Sequence, residues 1–128
     1  MHWIAAVVLL ALLEYFIFVF LVARARGKYG VHAPAITGHP VFERTFRVQQ
    51  NTLELLIIFV PSIALFGTYI SWRWGALLGL LFILGRAVYA AGYIRAPEKR
   101  ELGATVSFAA TAALLVGSLF GVIGALIR

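Results

Sequence analysis

The sequence predicts an all-α integral membrane protein, a four-helix bundle, and three observations carry that prediction. Hydrophobic residues make up 62% of the 128 positions and charged ones only 12%, a balance too apolar for a domain whose surface must be hydrated. Four apolar runs, at about 3–23, 52–70, 74–94 and 104–127, are each long enough to cross a hydrocarbon core of about 30 Å, which takes about 20 helical residues. The runs do not alternate: Leu77-Leu78-Gly79-Leu80-Leu81-Phe82-Ile83-Leu84 is continuously apolar, which excludes a β-barrel strand and leaves helices to satisfy the backbone.

The first run resembles a secretory signal, with Ala23-Arg24-Ala25 as a faint cleavage site, but it lacks a positive n-region and its apolar core is too long. It is expected to stay as the first span. The connector at 24–40 carries Gly27, Gly30, Pro34, Gly38 and Pro40 and is read as a loop, with Pro40 opening the second helix before the membrane begins. The expected spans are therefore about 3–23, 41–70, 74–96 and 104–127, in one domain covering 1–128. Pro61 is expected to kink the second helix. In the fourth, Ala113, Gly117, Gly121 and Ala125 recur at every fourth position. They are read either as a stripe for close helix approach or as the ordinary composition of a membrane helix.

The formal charge of +6 lies in the connectors and not on one soluble face, so membrane topology explains it better than nucleic-acid binding. Arg24, Arg26, Lys28, Arg44, Arg47, Arg95, Lys99 and Arg100 fall on one side, and only Arg73 and Arg128 on the other. The positive-inside rule then puts both termini outside and the first and third connectors in the cytosol. Cysteine is absent, so neither a disulfide framework nor a thiolate metal site is available. His2, His32 and His39 have no acidic neighbour at metal-ligand spacing and read as ordinary loop residues, so no metal is expected.

Ionisable groups inside a span cost a few kcal/mol each and call for a partner, a cavity or a task. Glu14, Glu54 and Arg86 are such groups. Arg47, Asn51 and Glu54, spaced i, i+4, i+7, share one stripe of the second helix, with Arg44 close to it. Arg86, Tyr89 and Tyr93, spaced i, i+3, i+7, form a stripe on the third, and Arg100 joins it if the helix continues past Pro97. Both stripes run to the basic side and could face one cavity. Guanidinium forks for carboxylates, a carboxylate for an ammonium, an amide and two phenols would suit a small zwitterion with several carboxylates. The alternative is that Glu54 and Arg86 neutralise each other and the tyrosines belong to an aromatic belt. For Glu14, an arginine on a neighbouring helix is the expected partner.

The segment Glu43-Arg44-Thr45-Phe46-Arg47-Val48-Gln49-Gln50-Asn51-Thr52-Leu53-Glu54 resembles the E-R-x-x-R-x-x-x-N-x-x-E hallmark of the MAPEG family, membrane-associated proteins in eicosanoid and glutathione metabolism. Arg86-Ala87-Val88-Tyr89-Ala90-Ala91-Gly92-Tyr93 followed by Arg100 resembles that family's third-helix signature. The resemblance implies a homotrimer of four-helix subunits with glutathione, the co-substrate, at each subunit interface near the cytosol. By position it implies Arg26, Arg47, Gln49, Asn51, Glu54, Tyr89 and Tyr93 as glutathione contacts. Arg100 would activate the thiol, with a hydrogen bond from Tyr93. Leu55 stands where leukotriene-forming members carry tyrosine, which favours the general glutathione transferase branch, and the short, compact chain is read as bacterial, in an inner membrane. The second substrate would be a hydrophobic electrophile or lipid hydroperoxide that arrives through membrane lipid. Two rivals are a proton-coupled small multidrug exporter using Glu14 and a non-catalytic membrane protein that binds glutathione or lipid.

Overall fold

The computed structural model describes all 128 residues. It contains four long helices, α1 His2–Tyr29, α2 Pro40–Tyr69, α3 Trp72–Arg95 and α4 Glu101–Leu126, with a 3-10 turn, Pro97–Arg100, between the last two. All four are long and apolar enough to cross a membrane; even α3, with 24 residues, extends about 36 Å at the helical rise. Chain direction alternates, so the loop 30–39 and the turn 96–100 lie together at one end, called here the basic end.

The helix ends follow local chemistry. α1 runs through Arg24 and Gly27 to Tyr29, so the first loop begins at Gly30 and not at residue 24. Arg24, Arg26 and Lys28 are good helix formers whose cations suit a helix C-terminus. The helix stops where Gly30 adopts φ 67° and its N–H turns back to the Arg26 carbonyl, a left-handed cap that costs other residues more. α2 opens on Pro40 and is capped by His39, whose Nδ1 accepts from the Val41 N–H at 3.1 Å. His39 is thus more than a plain loop residue: its ring also stacks on Tyr29 at 4.0 Å. α2 continues unbroken through Pro61.

Two close approaches fix the helix pairs around the site. A Cβ added to Gly103 of α4 would lie 2.2 Å from the Tyr89 nitrogen and 2.6 Å from the Gly85 oxygen of α3. A Cβ on Gly92 would lie 2.5 Å from the Lys99 carbonyl oxygen, so the 3-10 turn rests directly on α3. The stripe in α4 serves packing within the chain at two of its four positions: Gly117 faces Phe66, Gly121 faces Tyr69 and Ile70, and Ala113 and Ala125 are exposed.

Away from the basic end the core is dry. Phe59 and Phe82 stack at 4.0 Å in a cluster with Ile4, Val7, Ile63, Phe66 and Leu114. Smaller clusters around Phe18, Val48 and Tyr89 and around Val22, Val31 and Phe42 occupy the basic half. The outer surface is apolar too, with Leu9, Phe16, Ile57, Leu84, Phe108 and Phe120 all exposed, a face that only lipid or another apolar surface covers favourably.

Candidate functional site

The hallmark segment divides its labour along α2. Its first residues build the basic end: the Glu43 carboxylate accepts from the Gly38 N–H at 3.1 Å, and Arg44 Nε donates to the Ile94 carbonyl at 3.2 Å, capping the end of α3. The next residues point into or beside the site. Asn51 is half-buried, and Arg47 and Glu54 are exposed on the same stripe.

Arg86 of α3 is the centre of the arrangement, with none of its surface exposed. Its Nη2 donates to Asn51 Oδ1 at 2.7 Å, its Nη1 donates to Ser107 Oγ at 3.0 Å, and its guanidinium carbon stands 4.3 Å from the Tyr89 ring centroid. Ser107 in turn donates to the Gly103 carbonyl at 2.8 Å. One cation therefore joins α2, α3 and α4, and the π face and the polar partners make burial of its charge tolerable. Its partners are Asn51 and Ser107; Glu54, the alternative partner considered from spacing, is exposed.

From Arg86 an aromatic ladder climbs to the basic end. Tyr89 lies 5.5 Å from Tyr93 between ring centroids, and the Arg100 guanidinium lies 6.0 Å from the Tyr93 ring. α3 itself does not continue past Pro97: it ends at Arg95, Ala96 is extended at φ −155° and ψ 131°, and the 3-10 turn carries Arg100 back. The stripe closes by this detour. Beside it, a cleft of about 340 Å³ opens among α2, α3 and α4, lined by Asn51, Leu55, Arg86, Ala104, Thr105 and Phe108. That volume is within the range of small-molecule sites.

Asn51, Arg86, Tyr89, Tyr93 and Arg100 are thus linked by successive contacts, with Arg47 and Glu54 exposed on the α2 stripe. Arg26 and Gln49 are not. Arg26 Nη1 donates to the Ala35 carbonyl at 2.7 Å and its guanidinium sits 4.9 Å from the Phe42 ring, bracing the first loop. Gln49 Nε2 donates to the Tyr15 hydroxyl at 3.0 Å, turned toward α1. Sequence reasoning missed Ser107 and Tyr15, which anchor Arg86 and Gln49. Ser107 carried a weak signal, because Gly103, Ser107 and Thr111 recur at every fourth position on the buried face of α4.

The arrangement presents one fixed cation, an amide and an apolar wall at the cleft, with Arg47, Glu54 and Arg100 exposed. It suits an anionic, hydrogen-bonding guest held against apolar surface.

Known proteins resemble this chain over most of its length. The model for the MAPEG family matches residues 4–120. An uncharacterised protein of Synechocystis sp. is 44% identical over 121 residues, covering 94% of this chain and 88% of that protein. Microsomal glutathione S-transferase 2 of Homo sapiens is 41% identical over 117 residues, 91% of this chain and 80% of its own length. Leukotriene C4 synthase of Cavia porcellus is 36% identical over 97 residues, 76% of this chain and 65% of its own length.

Proposed function

The chain belongs to the MAPEG family, a family of multi-pass membrane proteins, and from that premise we propose that it is a glutathione transferase joining the glutathione thiolate to hydrophobic electrophiles. The single observation that carries the reading is that Arg86 and Asn51 meet in the wall of one cleft while Tyr89, Tyr93 and Arg100 continue from Arg86 as a ladder to the basic end. The relatives named as glutathione S-transferases support the co-substrate.

Arg47 and Asn51 are suited to the carboxylates and amides of the tripeptide and Glu54 to its ammonium. A free thiol of pKa about 8.5 is only about 3% ionised at pH 7, and the thiolate is the nucleophile. Arg100 stays charged and would favour the thiolate; a fall of two pKa units corresponds to about 2.7 kcal/mol. The thiol proton leaves to solvent at the basic end. The thiolate then attacks the electrophilic carbon, a carbon–sulfur bond forms, and with an aryl halide the carbon–halogen bond breaks as halide departs. A Tyr93 hydroxyl donating to sulfur would hold the nucleophile still. The same thiolate would reduce a lipid hydroperoxide: sulfur attacks the terminal peroxide oxygen, the oxygen–oxygen bond breaks to release the alcohol, and a second glutathione converts the sulfenic acid to glutathione disulfide and water.

Arg47, Glu54 and Arg100 are exposed in a single chain, and Arg26 and Gln49 face elsewhere. Both facts favour a homotrimer in which Arg26 and Gln49 reach the guest from a neighbouring subunit and the exposed apolar faces meet partners or lipid. Leu55 in the cleft wall supplies apolar surface where the leukotriene-forming pattern has a phenol, which favours general electrophiles. The excess of basic side chains at one end supports a cytosolic site in a bacterial inner membrane.

Isothermal titration of the detergent-purified protein with glutathione, followed by conjugation to an aryl halide, tests the reading. Arg100→Ala is expected to lower kcat about 100-fold while glutathione still binds. Absence of glutathione binding in the intact protein would refute the function, and unchanged turnover in the variant would remove Arg100 from the chemistry.

A further inference from the structure

Glu14 has no place in the reading above, yet it sits at the depth of the site. Ile4 packs where Gly75 lacks a side chain and Val7 where Gly79 does, so α1 and α3 run parallel at an offset of 71 (75 − 4) to 72 (79 − 7) positions. Phe18 clustering with Tyr89 and Ala90 keeps that register. Two turns beyond Val7, the same offset sets Glu14 level with Arg86. On α2 the Gln49–Tyr15 hydrogen bond fixes the same level from the other side, and Thr52 lies three residues beyond Gln49. Glu14, Thr52 and Arg86 therefore occupy one layer across three helices.

Each of the three holds a buried polar atom with no protein partner: Glu14 Oε1, Thr52 Oγ1 and Arg86 Nε. Thr52 is conspicuous for this. Thr45, Thr111 and Ser118 return their hydroxyls to the carbonyl four residues back, the usual solution in an apolar helix, and Thr52 does not. Glu14 and Arg86 are also near enough for their charges to act on each other. The groups are complementary: Arg86 Nε–H donates only, an ionised Glu14 accepts only, and the Thr52 hydroxyl does both. Room exists beside Glu14, which with Ala87, the residue after Arg86, lines a cleft of about 460 Å³ between α1 and α3, against about 30 Å³ for one water.

We propose that Glu14 is the counter-ion of Arg86, joined to it through a water that Thr52 also holds, and that it acts as a positioning residue for the glutathione site. The proposal rests on the functional reading above. Arg86 holds Asn51 at the cleft through Nη2; the bridge ties the neighbouring Nε–H, so that the fork keeps its angle and its charge is balanced. Glu14 touches no substrate. Its loss leaves a buried cation with an unsatisfied N–H, and the strain falls on the Arg86–Asn51 hydrogen bond.

The test uses the full chain in detergent, labelled with nitrogen-15 arginine, and follows the Arg86 Nε–H resonance, assigned by its disappearance in Arg86→Lys. The resonance is expected to exchange slowly with solvent and to move in both Glu14→Gln and Thr52→Val, the second of which removes one hydroxyl at nearly constant shape. Titration should show glutathione binding weakened about tenfold in each, the effect of one lost hydrogen bond to a charged group. The double variant should be no weaker than Glu14→Gln alone. A resonance that stays in place in Thr52→Val, or glutathione affinities equal to the parent, would overturn the proposal, as would additive losses in the double variant. If the parent binds no glutathione, the functional reading fails by itself, and the resonance alone then decides whether the bridge exists.

Discussion

Phe59 and Arg86 are both fully enclosed in the bundle, but their halves of the molecule hold together in different ways. Around Phe59, cohesion comes from shape: stacked rings, and glycines at 75 and 79 that admit Ile4 and Val7. In lipid there is little hydrophobic drive between helices, so close dispersion contact is the main term. Around Arg86, cohesion comes from hydrogen bonds and a π face that keep a charge inside. The difference teaches that the distal half stores stability and the basic half uses some of it to keep polar groups inside an apolar bundle.

That division can be broken or sharpened by substitution. The largest effect on stability is expected for Phe59→Ala, about 3 kcal/mol from the cavity left against Phe82, with glutathione affinity of the folded fraction unchanged; thermal unfolding and titration on the same sample check both. Asn51→Leu should cost about 2 kcal/mol by stranding Arg86 Nη2 and should also abolish most glutathione binding, which separates it from Phe59→Ala. A smaller loss, about 1 kcal/mol, is expected for Gly79→Ala, because the added methyl meets Val7 and the flexible end of Ile63; turnover per folded molecule should not change. Glu54→Gln is exposed and should shift stability by under about 0.5 kcal/mol while glutathione affinity falls. Loss of affinity in Phe59→Ala, or loss of stability in Glu54→Gln, would show the two halves to be one unit.

Much of this was readable from the chain. Hydropathy located the four helices because lipid tolerates no other continuous backbone solution for such runs. Helical spacing grouped Asn51 with Arg47 and Glu54, and Arg86 with Tyr89 and Tyr93, since those intervals fix a face whatever the neighbours are. Partners across helices were not readable. Nothing in the spacing distinguishes Glu54 from Asn51 and Ser107 as the groups that meet Arg86, because that depends on helix rotation and on the contact that Gly85 and Gly103 permit. The end of α1 was misplaced for a related reason: Gly27 is a breaker by composition, yet only Gly30 takes the left-handed conformation that stops the helix. The assignment of Arg26 and Gln49 to glutathione came from resemblance alone, and inside one chain both are engaged with α1 or its loop.

Gly92 gives the basic end a dependence on something that is not there. With no side chain, it lets the Lys99 backbone settle on α3, and one residue later the Arg100 guanidinium reaches the ring of Tyr93. A methyl group at that point would act as a wedge under the turn and lever the cation off its perch without altering any ionisable group. The reach of Arg100 is therefore set from below, by the thickness of the surface on which its turn stands.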